Sequence, residues 1–430
     1  MPVFDTGPID NRNAPRTTLL TIRLFNTGRK SATAGIEAYS INPTGAGFAS
    51  KTINALNFVT LNPFDQPDCS FTLDNVFANL DVFGVRVVTS GLGGNDIAVT
   101  VSEKGADGQI IKERVLEGEL ARIEELLFAY VSNALGNSVS VIDTESNTTL
   151  ATVTGVSRPG GIAFTPGGLL AYITSSIADL VAVIDTATNT VVNTVGLPIG
   201  AGPGEIEITP NGLRAYVANF ANDTVSVIDT GSNTVTATVN LPAGADPADI
   251  AITPDGSRVY VANNGLDNVS VIDTGTNTIV ATVALPAGAD PFGLAITPDG
   301  SRTFVTNQGL HTVSVIDTGT NTIVATVTLA AFSVPFGIAI TPDGSSAYVA
   351  TFGTDDVTII NTETNTVVTT VAGLNDPADI AITPDGSRAY VVNTGSATVS
   401  VIDTSTQTVV ATVSVSFIPA NVAITPILLF

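Results

Sequence analysis

An all-β fold is predicted by three markers that recur in step along this sequence. Val-Ile-Asp-Thr places an aspartate at Asp143, Asp185, Asp229, Asp273, Asp317 and Asp403, and Ile-Asn-Thr at Asn361 fills the one gap in a series spaced 42 to 44 residues. Thr-Pro recurs at Pro166, Pro210, Pro254, Pro298, Pro342, Pro384 and Pro426. An aromatic residue followed by Val or Ile recurs at Tyr130, Tyr172, Tyr216, Tyr260, Phe304, Tyr348 and Tyr390. Seven copies of a unit of this length predict a seven-bladed β-propeller, and strand-like segments before it predict an N-terminal β-sandwich.

The elements follow in chain order. Residues 1–16, rich in Pro, Gly and Asn, are expected to be a flexible arm; the sharper alternative is a strand added to a neighbouring subunit. Residues 17–116 carry strand character at Thr18–Asn26, Gly35–Ile41, Lys51–Leu61, Asn79–Thr89, Asp96–Glu103 and Gln109–Leu116. Ile97, Val99 and Val101 alternate with polar residues, the period of a half-buried strand. Residues 117–127 have helical spacing and read as a connector, with a strand as the alternative. From 128 to 430 each repeat reads as four short strands. In one copy they are Ala248–Thr253, Ser257–Ala262, Val269–Thr274 and Thr278–Val283, separated by Pro-Asp-Gly, a loop and Gly-Thr-Asn. The first copy lacks an inner strand and the chain ends on a spare one, Ala420–Pro426. The C-terminal strand is therefore expected to complete the first blade and close the ring.

Composition narrows the function classes. The 430 residues carry 39 Asp+Glu against 16 Lys+Arg, a net −23. Residues 1–125 hold 15 acids and 11 bases, net −4; residues 126–430 hold 24 and 5, net −19, with no lysine. This balance argues against nucleic acid or an anionic membrane surface as partner. With 44% apolar residues and a mean hydropathy of +0.38 the chain is not disordered, and no apolar run is long enough for a membrane span. The first residues show no apolar core behind a basic segment, so no signal peptide is read. The single Cys69 is expected to be a reduced thiol, with an intermolecular disulfide as the alternative.

Propeller topology gathers the loops before each inner strand, and those between second and third strands, on one face. A proline stands just before each inner strand there, from Pro159 to Pro419. Two residues later stand Gly161, Glu205, Asp249, Gly293, Gly337, Asp379 and Asn421. Asp246 with Asp249 and Asp376 with Asp379, together with Glu205, are the candidate ligands for a Ca²⁺ ion, weighed against a solvated acidic surface. Asp179, Asp223, Asp267, His311 and Asp355 occupy one column of the second-to-third-strand loops and are the candidate partner-binding face. His311 fills a slot that aspartate holds elsewhere, so no catalytic residue is assigned. The aspartates of Val-Ile-Asp-Thr read as turn formers. Arg214, Arg258, Arg302 and Arg388 read as turn-stabilising partners of nearby aspartates on the other face.

The elements Tyr260-Val261-Ala262-Asn263, Val-Ile-Asp273-Thr274 and Thr-Pro254-Asp255-Gly256 resemble the YVTN-type β-propeller repeat of microbial surface-layer proteins over about 128–426. The N-terminal region resembles modules of spore and cell-surface proteins. These resemblances imply a non-enzymatic bacterial surface protein, binding a protein or glycan through an acidic propeller face and attached or assembled, as a homo-oligomer, through its N-terminal domain. A metal-assisted, lactonase-like hydrolase using Glu205, Asp249 and Asp379 is the first alternative, and an intracellular interaction scaffold the second. No resident cofactor is expected beyond the Ca²⁺ ion already named.

Overall fold

Four antiparallel strands per repeat assemble into seven consecutive four-stranded sheets in this computed structural model. It describes residues 127–426 throughout and, of the preceding residues, only the backbones of the strands. The chain divides into two units, residues 1–125 and 126–430.

In the first unit one sheet joins Ala32–Pro43, Ala49–Leu61 and Val82–Ser90, with Val3–Asp5 and Ile9–Asp10 pairing onto Val82–Ser90 of the same chain. A second sheet runs Ser70–Asp74, Leu19–Asn26, Ile97–Lys104, Ile110–Leu116. The sandwich expected for 17–116 depends on how these two sheets face each other. That packing, the 117–126 part of the expected connector and Cys69 lie outside the described residues.

The second unit is the seven-bladed propeller. A representative blade, blade 4, comprises Pro247–Ile252, Arg258–Asn263, Asn268–Asp273 and Thr278–Ala284 from axis to rim, within about a residue of the expected spans. Blade 1 is composite: Phe128–Asn133 pairs with Ser138–Asp143 on one side and with the C-terminal Pro419–Ile424 on the other. Middle strands are buried on both faces because blades pack face to face, as where Tyr216, Val225 and Val227 of blade 3 meet Ile250, Val259 and Val261 of blade 4. That explains a positive mean hydropathy in so acidic a chain. Outer strands such as Thr278–Ala284 alternate exposed and half-buried residues, matching their Thr/Val sequence.

Polar side chains fasten each blade to the next. The Tyr172 hydroxyl donates to Asn233 Oδ1 (2.7 Å), Tyr216 to Asn277 (2.8 Å), Tyr260 to Asn321 (2.8 Å), and Tyr390 to Asn147 across the closure (2.8 Å). These asparagines sit at positive φ in the turn after the third strand, a conformation that asparagine tolerates. The neighbouring Val-Ile-Asp-Thr residues behave as expected: Asp273 Oδ1 accepts the Thr276 N–H (2.9 Å), while Thr274 donates to the Gly256 carbonyl (2.7 Å). The arginines differ from expectation. Arg258 pairs with Asp273, directly opposite it in the register, and Arg302 donates to the Thr362 carbonyl of the next blade (2.8 Å).

Candidate active site

The inner strands surround the axis, and the residues just after their prolines line a cavity of about 280 Å³. Its walls include Glu205, Asp249, Asp379, Asn421, Phe292 and Phe336. A register irregularity follows the proline in each inner strand, for instance between Pro203 and Ile206. Proline has no N–H for the ladder, and the resulting bulge re-aims the next side chains toward the axis.

Each acid is held differently. Asp249 accepts the N–H of Ile250 on one oxygen (2.6 Å) and the N–H of Leu294, in the next blade, on the other (2.6 Å). Asp379 likewise accepts the Val422 N–H of the following blade (2.8 Å). Glu205 is longer and spans the intervening blade to accept from Asn421 Nδ2 at 3.1 and 3.2 Å. Glycine makes room for it: a Cβ on Gly161 would lie 2.6 Å from Glu205 Oε2 and 2.8 Å from its Cα. Gly337 opens the corresponding space beside Asp379.

Electrostatics separates these carboxyls from ordinary surface acids. They are only half-buried by accessible area, because water reaches the channel, yet protein surrounds them and solvation is poor. Desolvation raises Asp379 to about 6, against the lowering effect of its backbone hydrogen bonds. It raises Asp249 to about 7, with Asp379 adding repulsion. Glu205 is pushed well above the usual carboxylate range by desolvation, then by the charges of Asp249, Asp379 and Glu207.

Glu207 was not singled out in the sequence. The residue is exposed to the channel, yet the protein around it raises its carboxyl to about 8, by desolvation and by Asp249. The signal is nevertheless plain once the inner strands are aligned four residues after the proline. The column reads Ala163, Glu207, Ala251, Ala295, Ala339, Ala381, Ala423, one acid among six alanines. A repeat position that packing fills with alanine everywhere else has no structural need for glutamate.

The other expected site residues lie apart from the cavity. Asp246 sits beside Gly265 and Asp376 beside Gly395, in the loops of their own blades, so neither converges with the Asp249 or Asp379 that follows it. Among the described residues no group of three or more His, Cys, Asp or Glu side chains is placed to hold a metal ion. The expected partner-binding column consists of loop clasps. Asp179 accepts the Gly200 and Gly202 N–H groups (2.8 and 2.9 Å), Asp223 those of Gly244 and Asp246, and Asp267 those of Gly288 and Asp290. Asp355 accepts from Asp376 N (2.8 Å), and His311 Nδ1 from Val334 N (3.2 Å). All five sit at positive φ, which Asp tolerates better than most residues.

A family model described as lactonase, 7-bladed beta-propeller, matches residues 161–337. That span holds Glu205, Glu207, Asp249, Phe292 and Phe336. No curated relative matches the sequence. Among solved structures, hydrazine synthase of Kuenenia stuttgartiensis aligns at 23% identity and a TM-score of 0.59, covering 64% of this chain and 92% of that one. A candidate 6-phosphogluconolactonase from Bacteroides fragilis aligns at 17% and 0.62, covering 71% and 99%. The dihydro-heme d1 dehydrogenase NirN aligns at 14% and 0.53, covering 75% and 79%. At these identities the structural likeness speaks for the propeller fold.

The family match corrects two expectations from the sequence. A non-enzymatic surface protein was expected from the YVTN-type resemblance; the family model that matches 161–337 describes a lactonase propeller instead. The expectation of no enzymatic activity falls with it. It rested on His311 being a repeat position with no catalytic assignment, and it gave too little weight to Glu205, Asp249 and Asp379, whose proton affinities the channel itself shifts. Among the described residues no helix is long and apolar enough to cross a membrane.

Proposed function

We propose that the propeller is a lactonase-like hydrolase whose working groups are the axial carboxyls. The observation that carries this reading is a set of carboxyls in one cavity with their proton affinities pushed apart, the arrangement that acid–base pairs need. The lactonase family match over 161–337 supports it.

In this reading Asp379, ionised at neutral pH, takes a proton from a water molecule as its oxygen adds to the lactone carbonyl carbon. Glu205, still protonated, gives its proton to the ring oxygen as the C–O bond breaks. The product is a hydroxy acid, and proton exchange with water restores both carboxyls. Asn421 holds Glu205 in place, and desolvation, with the charges of Asp249 and Asp379, keeps it protonated. The newly formed product carboxylate is repelled by the same acids, which favours its release.

The test is hydrolysis of neutral lactones such as glucono-δ-lactone, followed by proton release. Glu205→Gln and Asp379→Asn are each expected to lower kcat/KM by about 10²-fold or more, the usual worth of a positioned acid or base. Activity should rise as pH passes about 6, where Asp379 ionises, and fall at higher pH as Glu205 loses its proton. Lactone hydrolysis unchanged in both variants would overturn the assignment.

A further inference from the structure

Between Asp249 of blade 4 and Asp379 of blade 7 the wall is aromatic, and it breaks the repeat as sharply as Glu207 does. One residue after the proline the inner strands carry Gly160, Gly204, Ala248, Phe292, Phe336, Ala378 and Ala420. The two large residues stand side by side, in blades 5 and 6. Their rings are 4.8 Å apart and inclined at 56°, and Phe352, in the loop of blade 6, lies 5.1 Å from Phe336. Among the described residues no Lys, Arg or His lines the cavity. The propeller's arginines Arg214, Arg258, Arg302 and Arg388 begin second strands, at the end of the blade away from this mouth. Arg158 precedes an inner strand, and His311 is engaged with Val334.

An anion entering such a site meets carboxyls with no compensating cation and loses its own hydration. A cation gains on both sides, from the carboxyl oxygens and from the negative faces of the rings. Resting on the hydrolase reading, we propose that this cavity selects a small organic cation, an ester or lactone bearing an ammonium or quaternary ammonium group, and excludes phosphorylated lactones. The cationic group lies between the Phe292–Phe336 pair, backed by Phe352, and Glu205, Asp249 and Asp379. The volume of about 280 Å³ is at the lower end for small-molecule sites, so the substrate is compact. Because the cluster is partly protonated at neutral pH, an arriving cation drives protons off it.

The test is isothermal titration of the full chain at pH 7.5 and low ionic strength with benzyltrimethylammonium, compared with benzyl alcohol and 6-phosphogluconate. Repeating it in buffers of different ionisation enthalpy counts the protons released. The cation is expected to bind with proton release, benzyl alcohol to bind at least tenfold more weakly, and 6-phosphogluconate not to bind. Asp249→Asn and Phe336→Leu should each weaken the cation about tenfold, the scale of one desolvated cation–aromatic contact. Should Phe336→Leu fail to fold, Phe292→Leu tests the same wall. Absence of cation binding, binding without proton release, or 6-phosphogluconate binding as tightly as the cation would each overturn the proposal. Cation binding in a protein that opens no lactone would leave this inference standing and remove the hydrolase reading. Lactone opening without cation binding would do the reverse.

Discussion

Phe304 is the one position in the aromatic column without a hydroxyl, and the structure registers the loss. In the other blades a tyrosine reaches into the next blade, to an asparagine in most and to the Thr404 carbonyl from Tyr348 (3.4 Å). Opposite Phe304 the Asn365 Oδ1 is buried with no hydrogen-bond partner. A buried acceptor left unpaired forfeits about 1 kcal/mol or more. Phe304→Tyr is therefore expected to raise stability by ~1 kcal/mol, about 1.5 °C in Tm for a unit of this size, as measured by calorimetry. Tyr216→Phe should lower it by a similar amount. His311 shows the same logic in a loop. It offers one acceptor at 3.2 Å where Asp179, Asp223 and Asp267 each satisfy two N–H groups. The loop it holds carries Phe332 and Val334 at positive φ, strained for a β-branched residue. Each departure was visible as a break in a column, but its cost required knowing which atom faces it from the neighbouring blade.

At the scale of the element, the inner strand is where fold and chemistry meet. Its apolar residues face neighbouring blades, its proline starts the ladder, and the residue two positions on is free to carry function. Gly161 and Gly337 are part of that design, since each lies against an acid of the adjacent strand. Gly161→Ala is expected to displace Glu205 from Asn421 and lower lactone turnover at least tenfold while far-UV circular dichroism stays unchanged; wild-type turnover would refute the close approach. The strand pattern itself was legible to within about a residue in blade 4, because alternation and turn residues repeat seven times and one copy corrects another. Glu205, Asp249 and Asp379 were legible as a cluster for the same reason. Two things were not. The Asp246/Asp249 and Asp376/Asp379 pairs looked convergent because they are close in sequence, but the intervening proline and the strand start turn the two carboxylates in different directions. The phenylalanine wall went unread because aromatic residues in an apolar strand look like core until the column shows that its other members are Gly or Ala.

For the whole molecule, the acids form two populations with opposite pH behaviour. Asp229, Asp273, Asp317 and Asp403 are held below the usual carboxylate range by hydrogen bonds from their own turns. Groups of this kind contribute stability above about pH 4 that is lost as pH falls through their folded values. The channel acids are raised, so the folded protein binds their protons more tightly than the unfolded chain does. Their contribution is present below about pH 4 and is lost as pH rises through about 6 for Asp379, 7 for Asp249 and 8 for Glu207. Maximum stability is thus expected near pH 4, with Tm falling toward pH 8. Glu207→Ala, which restores the alanine of the other six blades, should raise Tm at pH 8 and change it little at pH 5; equal effects at both would argue that Glu207 titrates normally. The closing strand adds a constraint of a different sort. Phe128 donates its N–H to Thr425, 297 residues further on, so the first blade waits for Pro419–Ile424 to be made. Until then Phe128–Asn133 keeps one edge unpaired, able to join another chain. Ring closure therefore waits for that one distant strand, and the hazard of mispairing is greatest while the ribosome has yet to release it.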